Sequence, residues 1–341
     1  MKINFNNVSK GIHIESGIAM LFKNHLNVVN RHSFVTGGSQ GLGLALAIEL
    51  VELGSHVTIC ARNEKKLIDA VASIEKHRAF ETQLIQYVIG DVSIYDEANR
   101  AINDAISKSK DIDEKIPSQI FCCAGCSTPG WFNEAGPETY IKDMNSNYFS
   151  SLWTIKCATK HIIDNQIPNS RVVITSSVLG FPMGLPGYSS YTPSKHALRG
   201  LGDTLRTELK LYGISTHVYF PGTIYSPGYD NENLTKPDLT KKIEGAADGL
   251  TPKQCALALL SGINSNQYQI TSDFVGSLIK NISRGVSPMN NVIFDTFFMI
   301  IGLVKLFFYI YIHIHSLTLY PILDRFTYLE NVYGLFSFTR I

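Results

Sequence analysis

The run Thr36-Gly37-Gly38-Ser39-Gln40-Gly41-Leu42-Gly43 constrains this chain most. It follows a short β-rich stretch, Ser33–Val35, and opens an apolar helical pattern, Leu42–Glu52, that Gly54 stops. Glycines between a strand and a helix let the backbone turn tightly and approach a pyrophosphate, whose charge the helix N-terminus meets. Downstream the same alternation recurs. Strands are predicted at His56–Ala61, Gln83–Val88, Ile120–Cys123, Arg171–Thr175 and Thr216–Phe220, and helices at Glu64–Lys76, Tyr95–Ser107, Ile141–Ile163 and Tyr191–Tyr212. Short apolar strands alternating with helices imply an α/β fold whose parallel sheet is covered on both faces. The segment Pro221–Thr240, rich in Pro, Gly, Asn and Asp, is too long for a connector and reads as a substrate-side flap.

A second pattern points to chemistry. In Tyr191-Thr192-Pro193-Ser194-Lys195 a Tyr and a Lys stand four apart at a helix start, hence on one face. A phenol with a pKa of about 10 is a poor acid–base group near neutrality. A neighbouring ammonium is expected to stabilise the phenolate and bring that pKa down. Ser176 and Ser177 close the preceding strand, where either can hydrogen-bond the same substrate carbonyl. With a pyrophosphate-binding turn upstream, these groups are set to give a proton to a carbonyl oxygen beside a bound nucleotide.

The glycine spacing T-G-x-x-x-G-x-G, with the Ser and Tyr-x-x-x-Lys elements, resembles the short-chain dehydrogenase/reductase family over about Ser33–Thr271. That resemblance implies a Rossmann-like, doubly wound parallel sheet of about seven strands. It also implies catalytic roles for Ser177, Tyr191 and Lys195, with Asn147 holding the water of a proton relay. Ser177 is preferred over Ser176, although Ser177 to Tyr191 is one residue longer than the family's usual spacing. Cofactor contacts are expected from Gly37, Ser39, Gln40, Gly41, Leu42 and Gly43, from Asp91 and Val92 beside the adenine, and from Tyr191 and Lys195 at the nicotinamide ribose. The family's usual Asn-Asn-Ala-Gly after the fourth strand is Cys122-Cys123-Ala124-Gly125 here, at the loss of a polar contact.

The second strand ends Cys60-Ala61-Arg62-Asn63, with no acid to bind a ribose 2′-hydroxyl. Arg62 and Lys66 can instead clamp a 2′-phosphate, so NADPH is the expected cofactor. Three stretches, TGGSQGLG from Thr36, CAGCSTPGWF from Cys123 and GYDNENLTKP from Gly228, resemble the branch of the family that reduces the long-chain keto-lipid 3-ketodihydrosphingosine. A membrane-bound steroid or retinoid reductase, or a non-catalytic cofactor-binding scaffold, are the alternatives.

The branch resemblance implies the endoplasmic reticulum membrane, with the catalytic domain facing the cytosol. A net charge of +1 offers no basic field for nucleic acid. Cys123-x-x-Cys126 falls at a strand end and the six cysteines show no metal spacing, so they read as small buried residues. The chain therefore divides into an N-terminal extension of unassigned role (1–30), a catalytic domain (31–285, with the flap at 221–240) and a hydrophobic, membrane-associated tail (286–341). The apolar patch Gly17–Phe22 ends at Lys23, too soon for a signal peptide. In the tail, Val292–Ile314 has 23 residues, about enough to cross ~30 Å of hydrocarbon, but Asp295, Lys305 and His313 interrupt it. A span, a re-entrant pair, an interfacial helix and a buried core or dimer helix all remain open, as does a homo-oligomer.

Overall fold

The computed structural model describes residues 25–244, 249–283 and 289–304. Seven parallel strands form one sheet: β1 (His32–Thr36), β2 (His56–Ala61), β3 (Ile85–Ile89), β4 (Gln119–Cys122), β5 (Arg171–Thr175), β6 (Ser215–Phe220) and β7 (Gln269–Thr271). Their spatial order is β3-β2-β1-β4-β5-β6-β7, so chain direction across the sheet reverses between β1 and β4. Ligands of open α/β sheets bind outside the carboxyl ends of strands at such a switch point. Here those ends carry the Gly-rich turn, the Cys123–Gly125 loop and Ser176-Ser177.

Alternate side chains of the central strands enter opposite layers, as strand geometry dictates. Phe34, Cys60, Ile120, Val172 and Val218 pack on the face covered by α3 (Tyr95–Lys108), α5 (Ser150–Asp164) and α6 (Tyr191–Glu208). Val35, Ile59, Phe121, Val173 and Tyr219 pack on the face covered by α1 (Gly41–Glu52), α2 (Glu64–Ile74) and α9 (Pro252–Asn264). The two-sided burial explains why these strands read as continuous apolar runs.

Three elements differ from the sequence reading. The helix expected over Ile141–Ile163 is two helices, α4 (Pro137–Met144) and α5, joined by a π-helical turn at Asn145–Phe149. The expected flap loop is largely helical, as α7 (Pro227–Thr235) and α8 (Asp238–Glu244). Its Pro and polar residues are helix-start chemistry: Ser226 caps α7 through the Tyr229 amide and Pro227 takes the first turn, where no N–H is needed.

Finally, part of the expected tail belongs to the folded body. Residues 292–304 form a helix, α11. It docks beside α10 (Phe274–Ile282) through the Phe274–Phe298 ring pair, 5.5 Å apart, and through Gly302, where a Cβ would lie 2.2 Å from Ile282. Asp295, an interruption in a membrane span, is buried and accepts the Asn290 amide at 2.7 Å. Among the described residues no helix is long and apolar enough to cross a membrane. The rest of the tail, with Lys305 and His313, lies outside the described residues, as do residues 1–24. The described end of the N-terminal extension is tied down, with Val28 buried and the His25 carbonyl accepting from Arg171 at 2.8 Å.

Candidate active site

The turn after β1 is built by hydrogen bonds that its glycines permit. Gly37 and Gly38 donate to the Cys60 carbonyl at 2.9 and 3.4 Å, and Gly37 sits at φ +66, which disfavours any side chain. Gly43 brings α1 against the turn; a Cβ there would lie 2.4 Å from the Gly37 carbonyl oxygen. The Thr36 hydroxyl accepts from the Cys123 and Ala124 amides at 3.1 and 3.2 Å, tying this turn to the loop after β4.

Ser39, Gln40 and Lys66 line one cavity together with Asp69 and Pro227. The Lys66 ammonium donates to Gln40 Oε1 at 2.9 Å. Arg62, at the end of β2, has a largely exposed side chain 3.7 Å from an Asp91 carboxylate oxygen, so the two residues expected to flank an adenosine do meet. Val92 is buried beside them. Leu42 is a core residue; only its backbone is left for a ligand. The cradle fits a nucleotide: glycines where a Cβ would collide, free α1 N–H groups and two cations at the rim.

At the next strand end, Ser176 is committed, donating to the Lys195 carbonyl at 2.8 Å. Ser177 Oγ accepts the Leu179 amide at 3.2 Å, and its effect on the Tyr191 phenol is to favour ionisation. Of the pair, Ser177 is thus the one that acts on the Tyr191 phenol. Lys195 is buried, with its Nζ donating to the Thr175 carbonyl at 3.1 Å and lying 5.3 Å from the centre of the Tyr191 ring. Burial draws the Lys195 pKa down to about 8.

Tyr191 moves the opposite way from the sequence expectation. Burial, and then the Glu232 carboxylate, hold its phenol well above the ordinary value, against the Ser177 hydrogen bond. The ammonium meets the ring rather than outweighing those effects. The result is a neutral phenol beside a cation, the protonation state a proton donor needs.

Asn147 is fully buried in the π turn. Its side chain donates to the Cys126 carbonyl at 2.9 Å and to Ser194 Oγ at 3.1 Å, and accepts the Cys126 amide at 3.0 Å. Its side-chain groups are thus spent on the loop after β4 and on Ser194 of α6, while its main-chain carbonyl accepts from Ser150 Oγ at 3.1 Å and Ser151 Oγ at 3.2 Å. Gly125 completes the packing: a Cβ there would lie 2.5 Å from Asn147 Oδ1.

The two cysteines that replace Asn make only weak contacts. Cys122 Sγ lies 3.9 Å from the Ser151 carbonyl, and Cys123 Sγ accepts from Thr175 at 3.7 Å. Burial pushes the Cys123 thiol up to about 11, far from thiolate chemistry. No group of metal-ligating side chains is found among the described residues.

The sequence reading missed Asp143, which is fully buried and accepts from Thr128 Oγ1 at 2.9 Å and Ser190 Oγ at 2.7 Å. An acid four residues before Asn147 on the same helical face was the available signal. It also missed Tyr188, whose ring lies 5.9 Å from that of Tyr191.

A family model described as short chain dehydrogenase matches residues 31–237. The chain belongs to the short-chain dehydrogenase/reductase family. As a member it is an oxidoreductase that works with a nicotinamide cofactor. Its similarity extends to several curated short-chain dehydrogenase/reductases of one name. A 3-ketodihydrosphingosine reductase of Cryptococcus neoformans is 37% identical over 280 residues, covering 82% of this chain and 82% of the relative. One of Dictyostelium discoideum is 35% identical over 273 residues, 78% and 81% of the two chains. One of Bos taurus is 32% identical over 262 residues, 76% of each.

Proposed function

We propose that this chain reduces 3-ketodihydrosphingosine to dihydrosphingosine with NADPH, at the cytosolic face of the endoplasmic reticulum membrane. One juxtaposition carries the reading: a neutral, half-buried Tyr191 beside Ser177 and Lys195, next to a nucleotide cradle, in a chain similar to reductases of that name. A bound nicotinamide supplies the hydride. Tyr191 donates its proton to the ketone oxygen while Ser177 holds that oxygen by a hydrogen bond. Lys195 stabilises the phenolate that remains, and Asn147 fixes the loop that borders them. The test is a panel in which 3-ketodihydrosphingosine, a steroid ketone and a retinal are compared by kcat/KM. A steroid or retinal preferred over the lipid ketone would overturn the substrate.

NADPH is favoured because β2 ends without an acid and places Arg62 and Lys66 at the cradle's rim. Arg62→Asp is expected to lower kcat/KM for NADPH relative to NADH by roughly 10- to 100-fold, the loss of one charge-assisted contact worth about 1.5–3 kcal/mol. An unchanged ratio would mean that Arg62 points away from the phosphate.

The pH dependence follows from Lys195. Its folded pKa of about 8 keeps it charged below that pH and neutral above it. Reduction is therefore expected to fall as pH rises through about 8, since a neutral amine no longer stabilises the phenolate. A rate profile flat from roughly pH 6 to 10 would contradict this role.

A lipid substrate partitions into bilayers, which favours an enzyme held at the surface. Helix α11 exposes Val292, Ile293, Phe297, Ile300 and Val304, an apolar stripe leading into the residues that follow. A chain ending near Ser287, which lacks this stripe, is expected to bind NADPH and to leave the membrane pellet. Folded protein that stays in the pellet would assign the anchor to the described domain instead.

A further inference from the structure

Helices α7 and α8 are fastened to the loop that precedes Tyr191. Thr240 Oγ1 donates to the Pro186 carbonyl at 2.8 Å, and Gly187, at φ +86, packs against Pro237 and Thr240. At their centre, the Lys236 ammonium lies 2.9 Å from Glu232 Oε1 and 2.7 Å from Glu244 Oε2. The Tyr188 hydroxyl donates to Glu232 and stands 2.9 Å from Glu244 Oε1. Two carboxylates against one ammonium leave a formal excess of one negative charge.

The acids of this cluster keep some access to solvent and the ammonium keeps almost none. The Lys236 side chain is 1% exposed, whereas Glu232 and Glu244 keep 18% and 21%. An incoming group therefore meets the acids and not the lysine. Glu232 is also the one of the two whose charge bears on the Tyr191 phenol. The Tyr188 ring, which carries the Glu232 contact, touches the Tyr191 ring. The Glu232 contact with the Tyr188 hydroxyl and the 5.9 Å between the two tyrosine rings place this acid one ring away from the proton donor, whose ionisation its charge opposes.

The substrate of the proposed reaction, on which this step rests, bears an ammonium on the carbon next to the ketone. A carboxylate that binds it must stand close to Tyr191, and within a site that excludes water such a pairing is strong. We propose that the Glu232 carboxylate recognises the substrate ammonium and so turns the neighbouring carbonyl oxygen towards Tyr191. Glu232 is thereby a specificity-determining residue that selects 2-amino-3-ketones from other long-chain ketones. Lys236 and Tyr188 hold it in place, and the excess negative charge is the one the ammonium neutralises. An apolar site wall alone discriminates weakly between ketones of equal length, whereas a placed polar partner discriminates strongly.

The test compares 3-ketodihydrosphingosine with its 2-deamino analogue, identical in chain and hydroxyl. The wild-type chain is expected to prefer the amine by roughly 10- to 100-fold in kcat/KM, the span of one charge-assisted contact. Glu232→Gln is expected to bring the preference close to one, and Glu232→Asp to restore part of it. A preference kept by Glu232→Gln overturns the assignment. Equal reduction of both ketones by the wild type also overturns it and leaves the reductase reading standing, while reduction of neither overturns both. Should Glu232→Gln fail to fold, inhibition of the wild type decides. A long-chain 2-amino alcohol must compete at least about tenfold better than its deamino counterpart, and equal competition rejects the proposal.

Discussion

Tyr191→Phe is expected to lower kcat for ketone reduction by on the order of 10²–10⁴ and to leave NADPH bound. The change deletes one hydroxyl. The ring keeps its packing against Tyr188 and its place under the Lys195 ammonium, so the fold around it has no reason to move. What disappears is the proton for the ketone oxygen, and neither neighbour replaces it. Ser177 is too weak an acid, and the Lys195 Nζ is directed to the Thr175 carbonyl. The check pairs steady-state kcat with a fluorescence titration of NADPH. Turnover within about tenfold of wild type would remove Tyr191 from the proton-donor role.

Gly43→Ala is expected to weaken nucleotide binding by roughly 10- to 100-fold and to lower thermal stability, from overpacking that costs about 1–3 kcal/mol. The added methyl would lie 2.4 Å from the Gly37 carbonyl oxygen and 2.8 Å from its carbon. Both are backbone atoms of the turn that must cradle the pyrophosphate, so relief comes only by moving α1 off the turn. Gly200→Ala is the matched control. It lies in α6, a Cβ there meets nothing within 4 Å, and Ala is the better helix former. It should be neutral or slightly stabilising. Equal nucleotide affinity for the Gly43 variant and wild type, by titration, would show that the turn does not carry the cofactor.

The sheet was legible because its strands are buried on both faces and bounded by turns, a pattern that needs no tertiary information. His56–Ala61 and Arg171–Thr175 are read to the residue for that reason. The break between α4 and α5 was not legible, because Asn145–Phe149 keeps helical composition through the π turn. The reason for the break lies in another strand's loop, where Asn147 meets the Cys126 backbone.

The helices at 227–244 were misread because Pro and Gly were taken as loop formers, when Pro227 sits in a first turn and the fold is secured by Lys236. That lysine is buried only through partners on both sides of it, a relation no local pattern carries. Tyr191 illustrates a limit of spacing. The Tyr–Lys register places the pair on one face, but whether the phenol is raised or lowered depends on burial and on Glu232, about 40 residues away.

The central claim is hydride delivery from NADPH to the 3-keto carbon of a long-chain amino ketone. It is tested most directly by incubating the purified chain with 3-ketodihydrosphingosine and NADPH carrying deuterium at both C4 positions of the nicotinamide, then weighing the product by mass spectrometry. The account predicts dihydrosphingosine carrying one deuterium at C3, formed mole for mole with NADPH oxidised, and a strong preference for NADPH over NADH. NADPH oxidation without deuterium in the lipid, or no turnover of the ketone by a chain that binds NADPH, would contradict it.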